Sequence, residues 1–318
     1  MPREPPSLPL MRLPWFHRRF EEARRAMTTL VAVTVEDRSA GRAEEAIGRA
    51  FDEMKRVAAL LTRFDESSPV GVLNRDGRLG APPAELRAVV GLGLELHRRS
   101  GGAFDPTVAP LVDLYQVHFT AHGGPPDAAE VREVKALVGA HLVHLDDRSL
   151  RLGREGMALT LDGIGKGYIV DRMVEVLAAH DVRHAIVDAG GDIRALGGRS
   201  DGRPWRVGVQ DPRRPGELTE VLPLADAAVA TSGDYVRFHD VERQYHHTVV
   251  PSTGRSPAAI ASVSVRSATA LEADALATAV FALGPVAGPA FAASVEGVST
   301  LVLTRDGERR ASPGWLAR

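Results

Sequence analysis

Several short stretches of the chain alternate apolar and polar residues, which is the pattern of half-buried strands. The first is 27–36, where Leu30, Ala32 and Thr34 share one face. Other strands are predicted at 141–145, 149–152, 158–161, 185–193, 205–210, 222–231, 244–250, 260–266 and 298–304. Few of these neighbouring strands have a helix between them that could form a parallel crossover, so the pattern favours antiparallel pairing.

Apolar residues recur every three to four positions in other stretches, which is typical of helices with one buried face. In residues 42–61 this spacing links Ala46, Phe51, Met54 and Leu61. Helices are predicted at 42–61, 83–100, 129–138, 168–180 and 272–283, with loops at 62–69 and 120–128. The chain is therefore predicted to be a single α+β domain with a mostly antiparallel sheet and packed helices.

The composition narrows the possible functions. The 318 residues are 44% hydrophobic and 25% charged, with a formal net charge of −2. No basic surface on the scale of a domain is implied, so we expect no nucleic-acid partner. Cysteine is absent, which excludes disulfides, thiolate metal sites and a cysteine nucleophile.

The N-terminus and one uncharged stretch bear on location. Residues 1–26 are proline-rich and then charged, which predicts a poorly ordered tail before a domain at 27–318. They show no secretory signal pattern, so we expect a cytoplasmic protein, or a periplasmic one if the N-terminus was trimmed. Residues 275–295 lack charge, but Gly284-Pro285 and Gly288-Pro289 interrupt them, which predicts two helices of a soluble domain rather than a membrane span.

Residues 158–171 contain a strand pattern, three alternating glycines with Lys166, and a helix pattern. Glycines at 163, 165 and 167 permit unusual backbone conformations and close approach of a ligand. A helix N-terminus there would offer free N–H groups, which suits an anion such as phosphate. The alternative is an ordinary strand–helix connection with an exposed lysine. The spacing excludes a P-loop and the dinucleotide-binding fingerprint.

Two further stretches hold candidate chemistry. Asp274 and Thr278 are four residues apart on a predicted helix, so they share a face and form an oxygen set suited to Mg²⁺. The alternative is an acidic first turn that stabilises the helix dipole. His246 and His247 are adjacent in a predicted strand and face opposite sides, so at most one can serve a site as a proton acceptor.

Several motifs resemble, in order, those of the ApbE family of FAD:protein FMN transferases. They are Met27-Thr-Thr, Ala103-Phe-Asp-Pro-Thr-Val, Asp162-Gly-Ile-Gly-Lys-Gly-Tyr-Ile-Val-Asp, Asp188-Ala-Gly-Gly-Asp, Ala230-Thr-Ser-Gly-Asp-Tyr, His247-Thr-Val-Val-Pro-Ser-Thr-Gly and Glu272-Ala-Asp-Ala-Leu-Ala-Thr. The resemblance runs from about Met27 to Thr304. It implies an ApbE-like, T-fold-related domain that binds FAD and Mg²⁺, moves FMN onto a threonine or serine hydroxyl of a partner flavoprotein, and releases AMP. A membrane redox subunit is the type of acceptor it implies.

The resemblance also implies roles for individual residues. The implied FAD contacts are Met27, Phe64, Ala103, Phe104, Asp105, Lys166 and Thr248. The implied metal ligands are Asp274, Thr278 and the carbonyl groups of Gly163 and Ala277. We interpret Lys166 as a catalytic cation and His247 as a candidate general base.

The sequence departs from the family pattern at a few positions. Thr160 stands where many members have aspartate, with Asp162 nearby as a substitute carboxylate, and Val250 replaces the aspartate of a His-x-x-Asp-Pro motif. Thr28 replaces the glycine of Met-Gly-Thr. Two alternative functions are an FAD pyrophosphatase, with water in place of the partner's hydroxyl, and a non-catalytic flavin-binding protein.

Overall fold

The computed structural model describes residues 17–316. Its strands are β1 Arg18–Ala26, β2 Thr29–Asp37, β3 Arg78–Gly80, β4 Val143–Leu145, β5 Ser149–Leu152, β6 Ala185–Ala189, β7 Asp192–Leu196, β8 Trp205–Gln210, β9 Leu218–Leu224, β10 Ala228–Gly233, β11 Ile260–Ser267, β12 Ser299–Thr304 and β13 Arg309–Ala311. Its α-helices are α1 Ala40–Leu61, α2 Pro69–Asp76, α3 Ala84–Arg99, α4 Ala109–His122, α5 Ala128–Lys135, α6 Gly165–Ala179 and α7 Ala270–Ala292. The α+β prediction is confirmed.

The main sheet has eight strands in the order β1-β2-β6-β7-β10-β11-β12-β13, and every neighbouring pair is antiparallel. Side chains alternate between its faces, as strand geometry requires. In β10, Ala228 and Ala230 face the core beneath α1, α6 and α7, whereas Val229 faces a second cluster with Trp205 and Trp315. The β8–β9 hairpin contributes to this second cluster, so both faces of the sheet are covered.

A second region, built mainly from helices, lies beside α1. It contains α2, α3, α4, α5 and the small sheet β3-β5-β4. A separate apolar cluster of Leu111, Tyr115, Val131 and Val249 joins α4 and α5 to the segment that follows β10. This segment carries His247, so the helical region and the main sheet meet near the predicted site.

The prediction that residues 1–26 form a tail is wrong for 18–26, and its residues 1–16 lie outside the described part of the chain. Arg18–Ala26 forms β1, which pairs with β2 from Arg18↔Asp37 to Ala26↔Thr29. Charged residues misled the prediction because β1 is an edge strand with one exposed face, and such strands commonly carry charges. The Arg24 guanidinium covers the ring of Phe51 on α1 at 4.2 Å.

Two predicted strands are irregular because side chains satisfy their backbone groups. In 158–161, Asn74 bonds both the N–H and the carbonyl of Leu159, at 2.7 and 2.9 Å. In 244–250, the Asp240 carboxylate accepts the N–H groups of Gln244 and Tyr245 at 3.0 and 2.7 Å. The predicted strands 185–193 and 222–231 are each two strands, β6 with β7 and β9 with β10.

Helix α7 is, within residues 17–316, the one helix long and apolar enough to cross a membrane by length and composition. It packs against α6 and against β10, β11 and β12 of the main sheet, as a core helix does. Gly284, with φ 87° and ψ 179°, breaks the helical geometry before Pro285. This is the Gly-Pro interruption that the sequence predicted.

Candidate active site at the α6–α7 junction

The first turn of α6 lies directly against α7. The Gly167 N–H donates to Asp274 Oδ2 at 3.0 Å. A Cβ on Gly167 would overlap the Ala270 carbonyl oxygen and come within 2.8 Å of Asp274 Cβ, and one on Gly163 would come within 2.9 Å of Thr278 Oγ1. None of the three alternating glycines has a positive φ. The prediction of unusual backbone conformations is therefore wrong, and the glycines at 163 and 167 instead allow the close helix contact.

The predicted anion cradle of free N–H groups is also wrong for much of this turn. The N–H groups of Ile164 and Gly165 both donate to the Leu161 carbonyl, at 3.1 and 2.6 Å. That of Gly167 is taken by Asp274. Backbone groups here face protein acceptors, so a phosphate at this position would rely on the Lys166 side chain.

Three of the four predicted metal ligands, Asp274, Thr278 and Gly163, are brought together. Asp274 and Thr278 both reach the first turn of α6 from one face of α7, as their spacing predicts. The Thr278 hydroxyl donates to the Gly163 carbonyl at 3.3 Å. Ala277 adjoins Thr278 on the helix and is fully buried. A carboxylate, a hydroxyl and a carbonyl form the oxygen-only donor set that Mg²⁺ prefers.

The charges around Asp274 also fit a cation. Asp274 is 5% exposed and Asp192 is 2% exposed. Burial raises the pKa of Asp274 well above its ordinary value, the nearby Asp192 carboxylate raises it further, and Lys166 opposes both effects. Two buried carboxylates share one lysine, so a divalent cation would supply the missing positive charge.

Lys166 forms an ion pair with Asp192, from Nζ to Oδ2 at 2.6 Å. Burial alone would lower the pKa of Lys166, but the carboxylates of Asp192 and Asp274 raise it overall, so the ammonium stays charged. Burial raises the pKa of Asp192. No sequence signal pairs Asp192 with a lysine 26 residues away, so the sequence predicts no role for Asp192.

We expect Lys166→Met to destabilise the fold by about 2–4 kcal/mol at neutral pH, because the buried Asp192 carboxylate loses its partner. A second change, Asp192→Asn, removes that charge and should restore most of the stability without restoring FAD affinity. Urea unfolding and FAD titration of both variants separate the two effects. Wild-type FAD affinity in the double variant would show that Lys166 does not contact the cofactor.

The 103–107 loop is held by its own buried polar groups. The Asp105 carboxylate accepts from the Thr107 N–H at 2.8 Å, the Thr107 hydroxyl at 2.6 Å and the Ala140 N–H at 3.1 Å. His97 Nδ1 lies 3.2 Å from Asp105 Oδ2. Phe104 and Asp105 are both almost fully buried, whereas Ala103 is half-buried. Side chains 104 and 105 therefore shape the loop from inside, and a cofactor would meet this loop mainly through its backbone and Ala103.

The His97–Asp105 pair should make stability depend on pH. The hydrogen bond that the His97 ring donates to the Asp105 carboxylate raises the pKa of His97 above 6.5. Burial acts to raise the pKa of Asp105. The hydrogen bonds that His97 and Thr107 donate to this carboxylate outweigh burial and lower its pKa below 3.8. The charged pair therefore stabilises the fold between these two values, and its contribution is lost as the pH rises through the pKa of His97 or falls through that of Asp105.

We expect His97→Gln to lower the free energy of unfolding by about 1–2 kcal/mol between about pH 5 and 6. The deficit should shrink as the pH rises above 6.5 and level off above the raised pKa of His97, where the imidazole of the folded wild type loses its charge. Urea unfolding at a series of pH values measures both curves. A deficit that stays constant with pH would mean that His97 contributes by packing alone.

Of the two aromatic residues among the predicted FAD contacts, Phe64 is the exposed one, with 72% of its surface accessible. The Arg63 guanidinium lies 4.6 Å from the centre of its ring and is held by Asp113 on α4 through two bonds of 2.9 and 2.7 Å. An exposed ring with one face supported in this way is suited to stacking on a planar group.

The turn between β1 and β2 consists of Met27 and Thr28, with φ angles of 50° and 62°. Two positive φ values define the hairpin turn that glycine or asparagine usually occupies, and they are rare for a β-branched residue. The Thr28 hydroxyl donates to the Met27 carbonyl and accepts a hydrogen bond from the Arg237 guanidinium. Arg237 had no sequence signal, because it lies in an irregular segment between β10 and β11.

Arg237 also positions His247. The Arg237 carbonyl accepts the His247 N–H at 3.1 Å and lies 3.1 Å from His247 Nδ1. A carbonyl only accepts, so Nδ1 carries the proton and Nε2 presents a lone pair. Burial lowers the pKa of His247, which is therefore neutral at pH 7. The charge of Asp162 acts to raise the pKa of this imidazole, and that of Lys166 acts to lower it.

The neighbours of His247 differ in exposure. Asp162 is exposed, and its N–H donates to Thr160 Oγ1 at 3.3 Å, so its carboxylate stays accessible at the mouth of the site. Thr248 is half-buried. His246 is 1% exposed, bonds Pro257 O through Nε2 at 3.1 Å, and has a pKa that burial lowers to about 4. Only His247 of the two histidines is therefore placed to take a proton.

Asp171 has a structural role that the sequence did not reveal. Its two carboxylate oxygens accept the N–H groups of Ala270 and Leu271 at 2.8 and 2.9 Å, and Arg194 pairs with it at 2.7 Å. These N–H groups belong to the first turn of α7, where a helix lacks internal acceptors. Asp171 on α6 thus fixes the start of α7 and, with it, the position of Asp274.

Comparison with known proteins agrees with this arrangement. A sequence model described as the ApbE family matches residues 27–302. The chain belongs to the ApbE family. A relative named FAD:protein FMN transferase from Treponema pallidum is 31% identical, over 95% of this chain and 89% of the relative. Another of the same name, from Haemophilus influenzae, is 29% identical over 73% of this chain and 70% of its own length.

Solved ApbE structures share the fold. The ApbE protein of Thermotoga maritima superposes with a TM-score of 0.84 at 29% identity, covering 95% of this chain and all of its own. The flavin transferase ApbE of Vibrio cholerae gives 0.82 at 25% identity, covering 94% of this chain and 98% of its own. The predicted ApbE-like fold is therefore confirmed.

Proposed function

We propose that this chain is an enzyme that transfers the FMN part of FAD to a threonine or serine hydroxyl of a partner protein. The observation that carries the proposal is the convergence of Lys166, Asp274, Thr278 and the Gly163 carbonyl at the α6–α7 junction. The names of the curated relatives support the same activity.

The site's own residues divide the work of breaking a pyrophosphate bond. Mg²⁺ held by Asp274, Thr278 and the Gly163 carbonyl would neutralise charge on the phosphate oxygens. The Lys166 ammonium adds a fixed positive charge beside them. The exposed Phe64 ring stacks on a planar part of FAD and orients it. AMP leaves as the other half of the cofactor.

The acceptor hydroxyl needs a base, and we assign that role to His247. Its Nδ1 is bound to the Arg237 carbonyl, so Nε2 is the atom that takes the proton. Because burial lowers the pKa of His247 below 6.5, the imidazole is in its basic form at neutral pH. The partner protein supplies the nucleophile, so no activated serine within this chain is required.

We expect His247→Gln to lower the transfer rate by about 10²–10⁴, the usual contribution of a general base. The wild-type rate should rise with pH through the pKa of His247, which lies below 6.5, and stay level above it. The variant should lack that rise. Rates measured across about pH 5–9 decide the matter, and an unchanged rate throughout would remove His247 from the mechanism.

Incubation with FAD, Mg²⁺ and candidate acceptor subunits tests the function as a whole. Flavin fluorescence on denatured gel bands reports covalent FMN, and chromatography reports AMP in equal amount. A parallel incubation without acceptor measures hydrolysis. Rapid release of FMN and AMP there, with no labelled acceptor, would replace the proposed transfer by pyrophosphatase activity.

A further inference from the structure

A half-open cavity of about 300 Å³ lies between α4, α5 and the segment that carries His247. None of the residues lining it belongs to the α6–α7 site. Its walls are Tyr115, Pro125, Pro126, Ala128, Val131, Arg132, Tyr245, Thr253 and Arg255. The segment 245–255 therefore borders this cavity through Tyr245, Thr253 and Arg255 and also carries His247 and Thr248.

The cavity is positively charged. Arg132 and Arg255 are the charged residues that line it, and neither guanidinium has an ion pair or hydrogen bond within residues 17–316. Lys135, one helical turn from Arg132, donates to the Ser252 carbonyl at 2.9 Å and adds a third cation. Glu133 and Glu130 are the acids closest to Arg132 along the chain; neither lines the cavity, and Glu130 pairs with His118 at 3.0 Å. Such a site favours an anion.

The cavity also offers aromatic surface. The rings of Tyr115 and Tyr245 lie 5.8 Å apart at an angle of 31°. The Tyr115 hydroxyl donates to the Gly254 carbonyl at 2.9 Å, which fixes that ring and the end of the segment together. Aromatic rings next to arginines recognise planar groups that carry an anion. About 300 Å³ is at the lower end of the range for small-molecule sites, which suits one nucleotide rather than a dinucleotide such as FAD.

We propose that this cavity binds a nucleoside monophosphate of the class of AMP, with the phosphate at Arg132 and Arg255 and the base against Tyr245. AMP is named because the proposed function produces it at every turnover, so the choice of nucleotide rests on that function. AMP bound in the cavity restrains the segment 245–255 and therefore the position of His247. AMP thereby inhibits transfer without occupying the FAD site.

Calorimetric titration with AMP, adenosine and inorganic phosphate tests the cavity. The background is Lys166→Met/Asp192→Asn, which alters the α6–α7 site and leaves the cavity intact. Adding Arg132→Gln and Arg255→Gln should weaken AMP binding at least tenfold and leave the weaker binding of adenosine unchanged. The charge-matched control adds Arg214→Gln and Arg310→Gln, exposed residues outside the cavity, and should keep the original affinity.

Three results would overturn the proposal: AMP affinity that survives both cavity changes, equal loss in the control, or phosphate binding as tightly as AMP. The last would indicate a simple anion site without nucleoside recognition. The titration needs no acceptor protein, so its outcome is independent of the proposed transfer. Failure to label any acceptor would count against the function, whereas unchanged AMP affinity would count against the cavity alone.

Discussion

Asp274→Ala is expected to lower flavin transfer by a factor of at least about 10³, equivalent to about 4 kcal/mol of barrier. Asp274 supplies the carboxylate of the proposed ion site, and without it the Thr278 hydroxyl and the Gly163 carbonyl offer only neutral ligands. The fold should persist. Removing a buried carboxylate relieves its desolvation, which offsets about 1–3 kcal/mol for the Gly167 N–H left without an acceptor.

Thermal unfolding with and without Mg²⁺ gives a readout that does not depend on activity. Ion binding to the folded state should raise the Tm of the wild type and leave that of Asp274→Ala unchanged. Asp274→Asn keeps an acceptor for Gly167 but loses the charge, so it should behave like the alanine variant. Glu36→Gln changes a buried acid outside this junction, held by Arg199 and Ser200, and should lower stability while keeping the Mg²⁺ effect. Transfer at the normal rate by Asp274→Ala would refute the assignment.

Of the two glycines in α6, Gly167 should tolerate an added methyl group far less well, so Gly167→Ala should lower stability markedly. The new Cβ would overlap the Ala270 carbonyl oxygen and press on Asp274 Cβ, both part of the α7 backbone region rather than flexible side-chain ends. Overpacking of this kind costs about 1–3 kcal/mol, and more where the backbone must move. Because α7 shifts away from α6, the ion ligands separate as well, so transfer should fall together with stability.

Gly165→Ala is the matched control for this change. It adds the same methyl group to the same helical turn, but the nearest atoms to its Cβ are Leu161 Cβ at 3.5 Å and Leu61 Cδ1 at 4.0 Å, which are ordinary contacts. Its backbone needs no positive φ, so alanine fits, and stability should change by less than about 1 kcal/mol. Urea unfolding compares the two, and equal small effects would show that the α6–α7 contact tolerates an added methyl group.

The sequence predicts best those elements whose periodicity is undisturbed. Residues 42–61 lie within α1, and 260–266 within β11, because each has a regular buried face. The predicted strand 185–193 is a hairpin instead. Gly190 and Gly191, with φ of 68° and 100°, form its turn inside what reads as one apolar run. The resemblance supplied the right fold because several ordered motifs agreed.

The site was predictable only as far as local spacing reaches. Asp274 and Thr278 are four residues apart, so one helix places both. The contacts of Asp105 with His97 and Ala140, and of Asp171 with the start of α7, come from tertiary packing, and nothing in the local sequence identifies them. The glycines near Lys166 indicated a close approach, but whether to a ligand or to another helix depended on where α7 lies.

The contacts that build the α6–α7 junction join residues 99 to 115 positions apart in the chain. During synthesis on a ribosome, α6 is complete long before Asp274 and Thr278 emerge. Contacts of such separation form late, because a long loop must close before they add stability. A nascent chain therefore lacks the proposed ion site until Thr278 has been made and α7 has packed against α6.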